Sequence, residues 1–286
     1  MFNKVKIGNI TFQVVDLAFI LCLFFFGFMI RWKLMPIESA DYWGFLEDWM
    51  RQIREGGGYR SLGHQISNYT SPYMYIMCFL SYITDNDLYA LKLVSVCFDY
   101  AASIAIFLLI FQMTENVKKS ILGMAVLLLS PTVIIDSAYW CQCDIIYTTF
   151  ILYALYNFFK NNSKWCLIFI GISFAFKQQV LFIVPFLMIM WLKKRTIRLV
   201  HFLWVPVIYV ISTLPAWMMG RDFKELLLIY FDQSETYPWG TLEYPNIYAL
   251  LGEADGAALN KSDLARDIQT LVILGGTHIG NNYDVE

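Results

Sequence analysis

Charge is scarce in this chain, and histidine scarcer. Acidic and basic residues make up 15% of the 286 positions and hydrophobic residues 58%, with a mean hydropathy of +0.52. Soluble domains carry about 25% charged residues, and no water-soluble fold of this length hides so much apolar surface. The net charge of −2 offers nucleic acid no bulk attraction. His64, His201 and His278 are scattered, and no H-E-x-x-H or clustered ligand set occurs, so no dedicated metal site is expected. C-x-x-C is missing too. Cys22, Cys78, Cys97 and Cys166 fall inside apolar runs and read as small buried hydrophobes. Cys141 and Cys143 bracket Gln142 at a loop, too close for a local disulfide or a zinc site. No cleavable signal peptide is expected, since the first apolar run, Phe12 to Ile30, is too long for an h-region and lacks a small-residue cleavage site. It is expected to stay as an anchor.

What the chain does have is long apolar runs: Val14–Ile30, Leu88–Met113, Ser120–Ile135, Ile145–Phe159, Trp165–Phe176, Val180–Leu192 and Leu199–Met219. A membrane-crossing helix needs about 20 apolar residues, with roughly 17 as a lower limit. The first, second and seventh runs meet this alone; the third and fourth meet it with their flanks. The fifth and sixth are short and parted by Lys177-Gln178-Gln179, as two thin spans meeting at a polar hairpin or as one long broken helix. Basic residues at their far ends, Lys164 and Lys193-Lys194-Arg195, favour two spans. The expected fold is therefore an all-α polytopic membrane protein of about seven transmembrane helices, one integral membrane domain over 1–286. Pro72–Ile83 is too short to span comfortably, and its Tyr73, Tyr75 and Tyr82 suit an interfacial or re-entrant helix.

Charge sets the orientation. With a cytoplasmic N-terminus, the inner loops hold Lys4, Lys6, Lys118, Lys119, Lys160, Lys164, Lys193, Lys194, Arg195 and Arg198, against Glu115. That is a positive-inside pattern. The acids Glu38, Asp41, Glu47, Asp48, Asp85, Asp87, Asp136 and Asp144 fall outside, as does most of the tail. Two outer segments are long, 31–71 and 220–286. In the first, Ser39 is placed to cap a helix from about Ala40 to Arg54. Tyr42, Phe45, Leu46, Trp49, Met50 and Ile53 form an apolar stripe along it, with Asp41, Gly44, Asp48, Arg51 and Glu55 opposite. Such a helix lies flat at the headgroups, aromatic face down, and ends at Gly56-Gly57-Gly58. Asp41 then stands in its first turn, where its plainest role is to complement the helix dipole.

The stretch Glu38-Ser39-Ala40-Asp41-Tyr42, then Trp49, Gly57-Gly58-Tyr59 and Asn68-Tyr69-Thr70-Ser71-Pro72-Tyr73, resembles the first luminal loop of GT-C glycosyltransferases. It is most similar to bacterial relatives of the second mannosyltransferase of GPI-anchor assembly, and more distantly to the dolichyl-phosphate-glucose-dependent glucosyltransferases of N-glycan assembly. Tyr139-Trp140-Cys141-Gln142-Cys143-Asp144 resembles the family's W-G-Q-x-D segment, Phe174-Ala175-Phe176-Lys177-Gln178-Gln179 its F-x-F-K-x-Q segment, and Tyr244-Pro245-Asn246-Ile247-Tyr248 its Y-P-N-x-Y motif. In those families a D-Y-x-P-P-type motif follows the loop; here it reads N-Y-T-S-P, with Asn68 in place of Asp and Ser71 in place of the first Pro.

The resemblance implies transfer of one hexose, mannose or glucose, from a polyprenyl-phosphate donor to a glycan or lipid-linked acceptor outside the cell membrane, with inversion. It implies that Asp41 is the catalytic base. Lys177 is the candidate for the donor phosphate, with pairing to Asp144 or Asp136 as its structural alternative. Gln178, Gln142 and Asp144 are candidates for donor phosphate or sugar, and Glu38, Tyr42, Tyr69, Tyr244 and Asn246 for further contacts in the outer loops. No protein metal site is expected; a divalent ion shared with the donor phosphate is left open. Asp99 reads as a structural hydrogen-bonding partner of a neighbouring helix, and Asp16 as reaching the interface. A transporter or flippase is the rival reading, and a scaffold a third. Relatives carry further membrane helices after the Y-P-N-x-Y loop, whereas the one later apolar stretch here is Ala265–Gly276, so the chain is expected to be a truncated one.

Overall fold

The computed structural model describes residues 4–194 and 198–236. Two compact units divide the chain, Met1–Leu227 and Leu228–Glu286, and apart from the later turns of the last helix the first carries everything below. It opens with a feature the all-helical expectation missed. Strands β1 (Lys4–Ile7) and β2 (Ile10–Gln13) form an antiparallel hairpin pairing Lys4 with Gln13 and Ile7 with Ile10. Gly8 turns it at φ +58°. The alternation K-V-K-I and I-T-F-Q about Gly8-Asn9 was the signal. Phe12 points inward and stacks on Phe107.

Among the described residues eleven α-helices follow: α1 (Val14–Leu34), α2 (Glu47–Glu55), α3 (Ser71–Ser81), α4 (Asp87–Thr114), α5 (Val117–Leu128), α6 (Pro131–Ile134), α7 (Asp144–Phe159), α8 (Ser163–Phe176), α9 (Val184–Lys194), α10 (Trp204–Met218) and α11 (Phe223–Thr236). Asp16 caps α1 by accepting the Gln13 N–H at 2.9 Å. Asn86, Asn116 and Asn162 each accept a backbone N–H three residues on and so start α4, α5 and α8. Within the bundle α4 packs on α5 and α7, α7 on α8, and α8 on α10.

Among the described residues, Val14–Leu34, Asp87–Thr114 and Leu199–Met218 are long and apolar enough to cross a membrane. A fourth joins them if Val117–Leu128 and Pro131–Tyr139, bent by 48°, count as one. The other apolar runs form shorter helices. On α1 Phe19, Leu21, Phe25 and Phe26 face outward, a surface that suits lipid.

The first long loop is helical from Ala40 to Glu55, with Ser39 at its head as the sequence predicts. Its apolar stripe, however, faces protein. Leu46, Trp49, Met50 and Ile53 are buried against Tyr73, Met74, Met77 and Cys78 of α3. Tyr42–Leu46 is a π-helical turn. Its wider turn brings Leu46 under Tyr42 and swings Phe45 out to 49% exposure. Helix α3 is likewise a core element. Tyr73 is buried, and Tyr75 donates its hydroxyl to the Ser212 carbonyl of α10 at 2.8 Å. Arg54 ties the far end of α2 to the α3–α4 turn through the carbonyls of Ser81 and Thr84 and the carboxylates of Asp85 and Asp87.

Among the described residues, three charged side chains are fully buried, Arg31, Lys92 and Asp99. Arg31, expected at the start of the outer loop, belongs to the last turns of α1 and turns inward. Its Nε donates to Asp99 of α4 at 2.6 Å and its other nitrogens to the carbonyls of Gly27 and Leu128. Asp99 therefore has the structural role read from the sequence. Lys92 of α4 directs its ammonium at the carbonyls of Leu34, Met35 and Ile37, the acceptors that the end of α1 leaves without intrahelical donors.

Candidate functional site

The site is built where the C-terminal ends of α1 and α8 meet the N-terminal ends of α4 and α7. Ser39 starts it. Its hydroxyl accepts the Tyr42 N–H at 3.2 Å and donates to the Trp140 carbonyl at 2.6 Å. One residue into the helix, Asp41 is thereby set beside the segment that leads into α7. Its Oδ2 accepts the Trp140 indole N–H at 2.8 Å and the Gln142 side-chain N–H. Gln142 in turn accepts the Tyr69 hydroxyl at 3.3 Å. The Lys177 ammonium lies over the Tyr69 ring, 5.5 Å from its centroid, and pairs with Asp144. Thr70 holds this corner shut by donating to the Phe176 carbonyl at 2.9 Å.

One continuous polar path therefore runs from Asp41 through Gln142 and Tyr69 to Lys177 and Asp144. Of the two partners considered for Lys177, the structure has Asp144. Burial works against the Lys177 charge, but the facing groups, Tyr69 and the Asp144 carboxylate among them, hold its pKa well above the ordinary lysine value. Burial pushes the Tyr69 hydroxyl up, so it remains a donor at neutral pH. It likewise raises the thiols of Cys141 and Cys143 to about 12; both cysteines are free and inert packing groups.

Other sequence candidates do not join this path. Glu38 and Tyr42 line an open cleft of about 570 Å³ with Asp85, Asp87 and Tyr89, and neither side chain bonds Asp41. Gln178 makes none of the contacts above. Its neighbour Gln179 has a buried side-chain oxygen with no donor. Tyr244 and Asn246 lie outside the described residues. Among the described residues no group of His, Cys, Asp and Glu could hold a metal ion.

Sequence reasoning missed the indole of Trp140 as a partner of Asp41, although its motif was noticed. It also missed Arg31, Ser95 and Ser137 as buried ties. Arg31 had a signal, a lone cation directly after an apolar run. The two serines had none.

The carboxylate at Asp41 is only half-buried. It can accept a proton from a hydroxyl brought to its open side while two N–H donors fix its direction. The Lys177–Asp144 pair is part-exposed, at 20% and 39% of the side chains, so an anion can approach the ammonium. No protein-family model matches this chain, and no curated protein or solved structure matches it.

Proposed function

We propose that this protein is an inverting hexosyltransferase of the GT-C type, taking mannose or glucose from a polyprenyl-phosphate donor. The observation that carries the reading is the contact of Asp41 with Trp140 and Gln142. Segments that resemble family motifs, far apart in the chain, supply one connected set of side chains. Lys177 and Asp144 extend that set through Tyr69.

In this reading the acceptor hydroxyl approaches the open side of Asp41. As its oxygen bonds the anomeric carbon, its proton passes to the carboxylate. The bond from that carbon to the phosphate oxygen breaks on the opposite face, and the electron pair leaves with the lipid phosphate. No covalent sugar intermediate forms, so one carboxylate suffices and the configuration inverts; the hydrolase scheme with two carboxylates is only an analogy. Lys177 then balances the departing phosphate, sharing its charge with Asp144 before the donor binds. The outward apolar faces of the helices accommodate the prenyl chain.

The same reading places about seven spans in the cell membrane, with the N-terminus in the cytoplasm and Asp41 outside. It draws support from the basic residues Lys118, Lys119, Lys160 and Lys164, which flank the helix ends opposite Asp41.

Radiolabelled mannose and glucose polyprenyl phosphates, offered to purified protein with acceptor lipid, test the proposal. Transfer is expected from one of them. Asp41→Asn keeps an oxygen for the Trp140 N–H, so it should fold and bind donor, yet lose about 10²–10⁴-fold in turnover. Wild-type turnover in that variant would refute the base assignment.

A further inference from the structure

We infer that one face of α4, carrying Lys92, Ser95 and Asp99, is the positioning device that aligns Asp41 with its two donors. The inference rests on the proposed function only for its catalytic consequence; the alignment itself is measurable alone.

The three residues follow at i, i+3 and i+7, one stripe of a helix. All are buried, with exposures of 0%, 1% and 0%. Each fixes a different piece of backbone around the site. Lys92 holds the carbonyls of Leu34, Met35 and Ile37, which set where the chain leaves α1 for Ser39 and Asp41. Ser95 donates to the Gln142 carbonyl at 2.7 Å. Asp99 accepts the Ser137 hydroxyl at 2.6 Å, inside the π-helical turn Ile135–Tyr139 that delivers Trp140. That turn closes on itself through Trp140 N–H to the Ile135 carbonyl and Gln142 N–H to the Asp136 carbonyl. It therefore moves as a unit, and α4 grips it at both ends.

Packing alone does not explain these residues. Apolar side chains of similar volume at buried ion-pair positions are often as stable or more so. What polar groups add is direction, because each bonds one named carbonyl or hydroxyl. Lys92 sets the side that carries the base, while Ser95 and Asp99 set the side that carries the donors. A single rigid helix thus fixes the separation across which Trp140 and Gln142 reach Asp41.

The test uses the whole protein labelled with 5-fluorotryptophan in detergent micelles. The Trp140 resonance is identified by its loss in Trp140→Phe, and its position without the carboxylate by Asp41→Ala. Ser95→Ala and Ser137→Ala each remove one tie and almost no volume. The Trp140 resonance should move toward the Asp41→Ala position in both, and kcat should fall about tenfold to a hundredfold with a much smaller change in KM. Ser103→Ala is the control: Ser103 is equally buried on α4, but its hydroxyl returns to the Tyr100 carbonyl of its own helix. Its resonance and kcat should stay at wild-type values. A Trp140 signal unmoved in Ser95→Ala and Ser137→Ala would overturn the inference. A moved signal in a protein that transfers no sugar would leave α4's role standing and remove the transferase reading.

Discussion

Replacing Arg31 by Met leaves the Asp99 carboxylate buried with only the Ser137 hydroxyl as partner. One Asp99 oxygen already has no donor, so nothing nearby takes over. Breaking a fully buried pair from one side costs about 3–5 kcal/mol, and Asp99→Leu, which strands the guanidinium, should cost about the same. Removing both charges is different. Arg31→Met with Asp99→Leu buries two apolar side chains of similar size. Ser137 keeps the Val133 carbonyl at 3.0 Å as an acceptor; the Gly27 and Leu128 carbonyls each lose a guanidinium donor, but Gly27 lies inside α1, where the helical hydrogen-bond ladder serves its carbonyl. The double variant should therefore lose about 1–2 kcal/mol, one unmet acceptor. Denaturation by SDS in mixed micelles, followed by far-UV circular dichroism, reads all four proteins. The expected pattern is two severe single variants and a mild double. Single variants within about 1 kcal/mol of wild type, or a double equal to the sum of the singles, would refute the reasoning.

Three further outcomes follow from the same geometry. Arg54→Ala removes bonds to the Ser81 and Thr84 carbonyls and to Asp87, while its contact with fully exposed Asp85 adds little. A loss of about 1–3 kcal/mol in SDS denaturation is expected, with earlier proteolysis between α2 and α3. At Gly58 an added Cβ would stand 2.0 Å from the Tyr82 hydroxyl at φ +69°, whereas at Gly57, φ +77°, nothing comes nearer than 3.8 Å. Gly57→Ala should cost about 1–2 kcal/mol from the backbone alone, and Gly58→Ala measurably more in the same assay. Cys141 and Cys143, raised to about 12 by burial, stay protonated at pH 7–9. Single-cysteine proteins carrying either one should resist maleimide across that range and label only in SDS; rising reaction between pH 7 and 9 in the folded protein would contradict this.

The sequence made several features legible for clear reasons. Helix 40–55 was visible because a serine cap and a 3.6-residue apolar period are local. The role of Asp99 was legible because a bare carboxylate amid apolar residues requires a partner. The stripe of α2 was read as lipid-facing because periodicity reports which side of a helix is apolar, not what covers it; α3 covers it. The β1–β2 hairpin was overlooked because a short alternating pair beside a strong apolar run carries a weak signal. Glu38 and Tyr42, near Asp41 in sequence, face a different cleft, since a helix turn aims neighbouring residues apart.

Composition and hydropathy by themselves determined that the chain is helical, with helices that suit a bilayer, and the segments that resemble GT-C motifs singled out Asp41, Gln142, Asp144 and Lys177 as the residues to watch. Only the tertiary structure decided that these meet, that Trp140 is the second donor to Asp41, and that Lys177 pairs with Asp144 and not Asp136. The reason is physical. Apolar burial depends on residue type, which a sequence states outright. A hydrogen bond depends on two atoms coming within about 3 Å, and for Asp41 and Gln142 that distance is set by how α1, α4 and the turn before α7 pack.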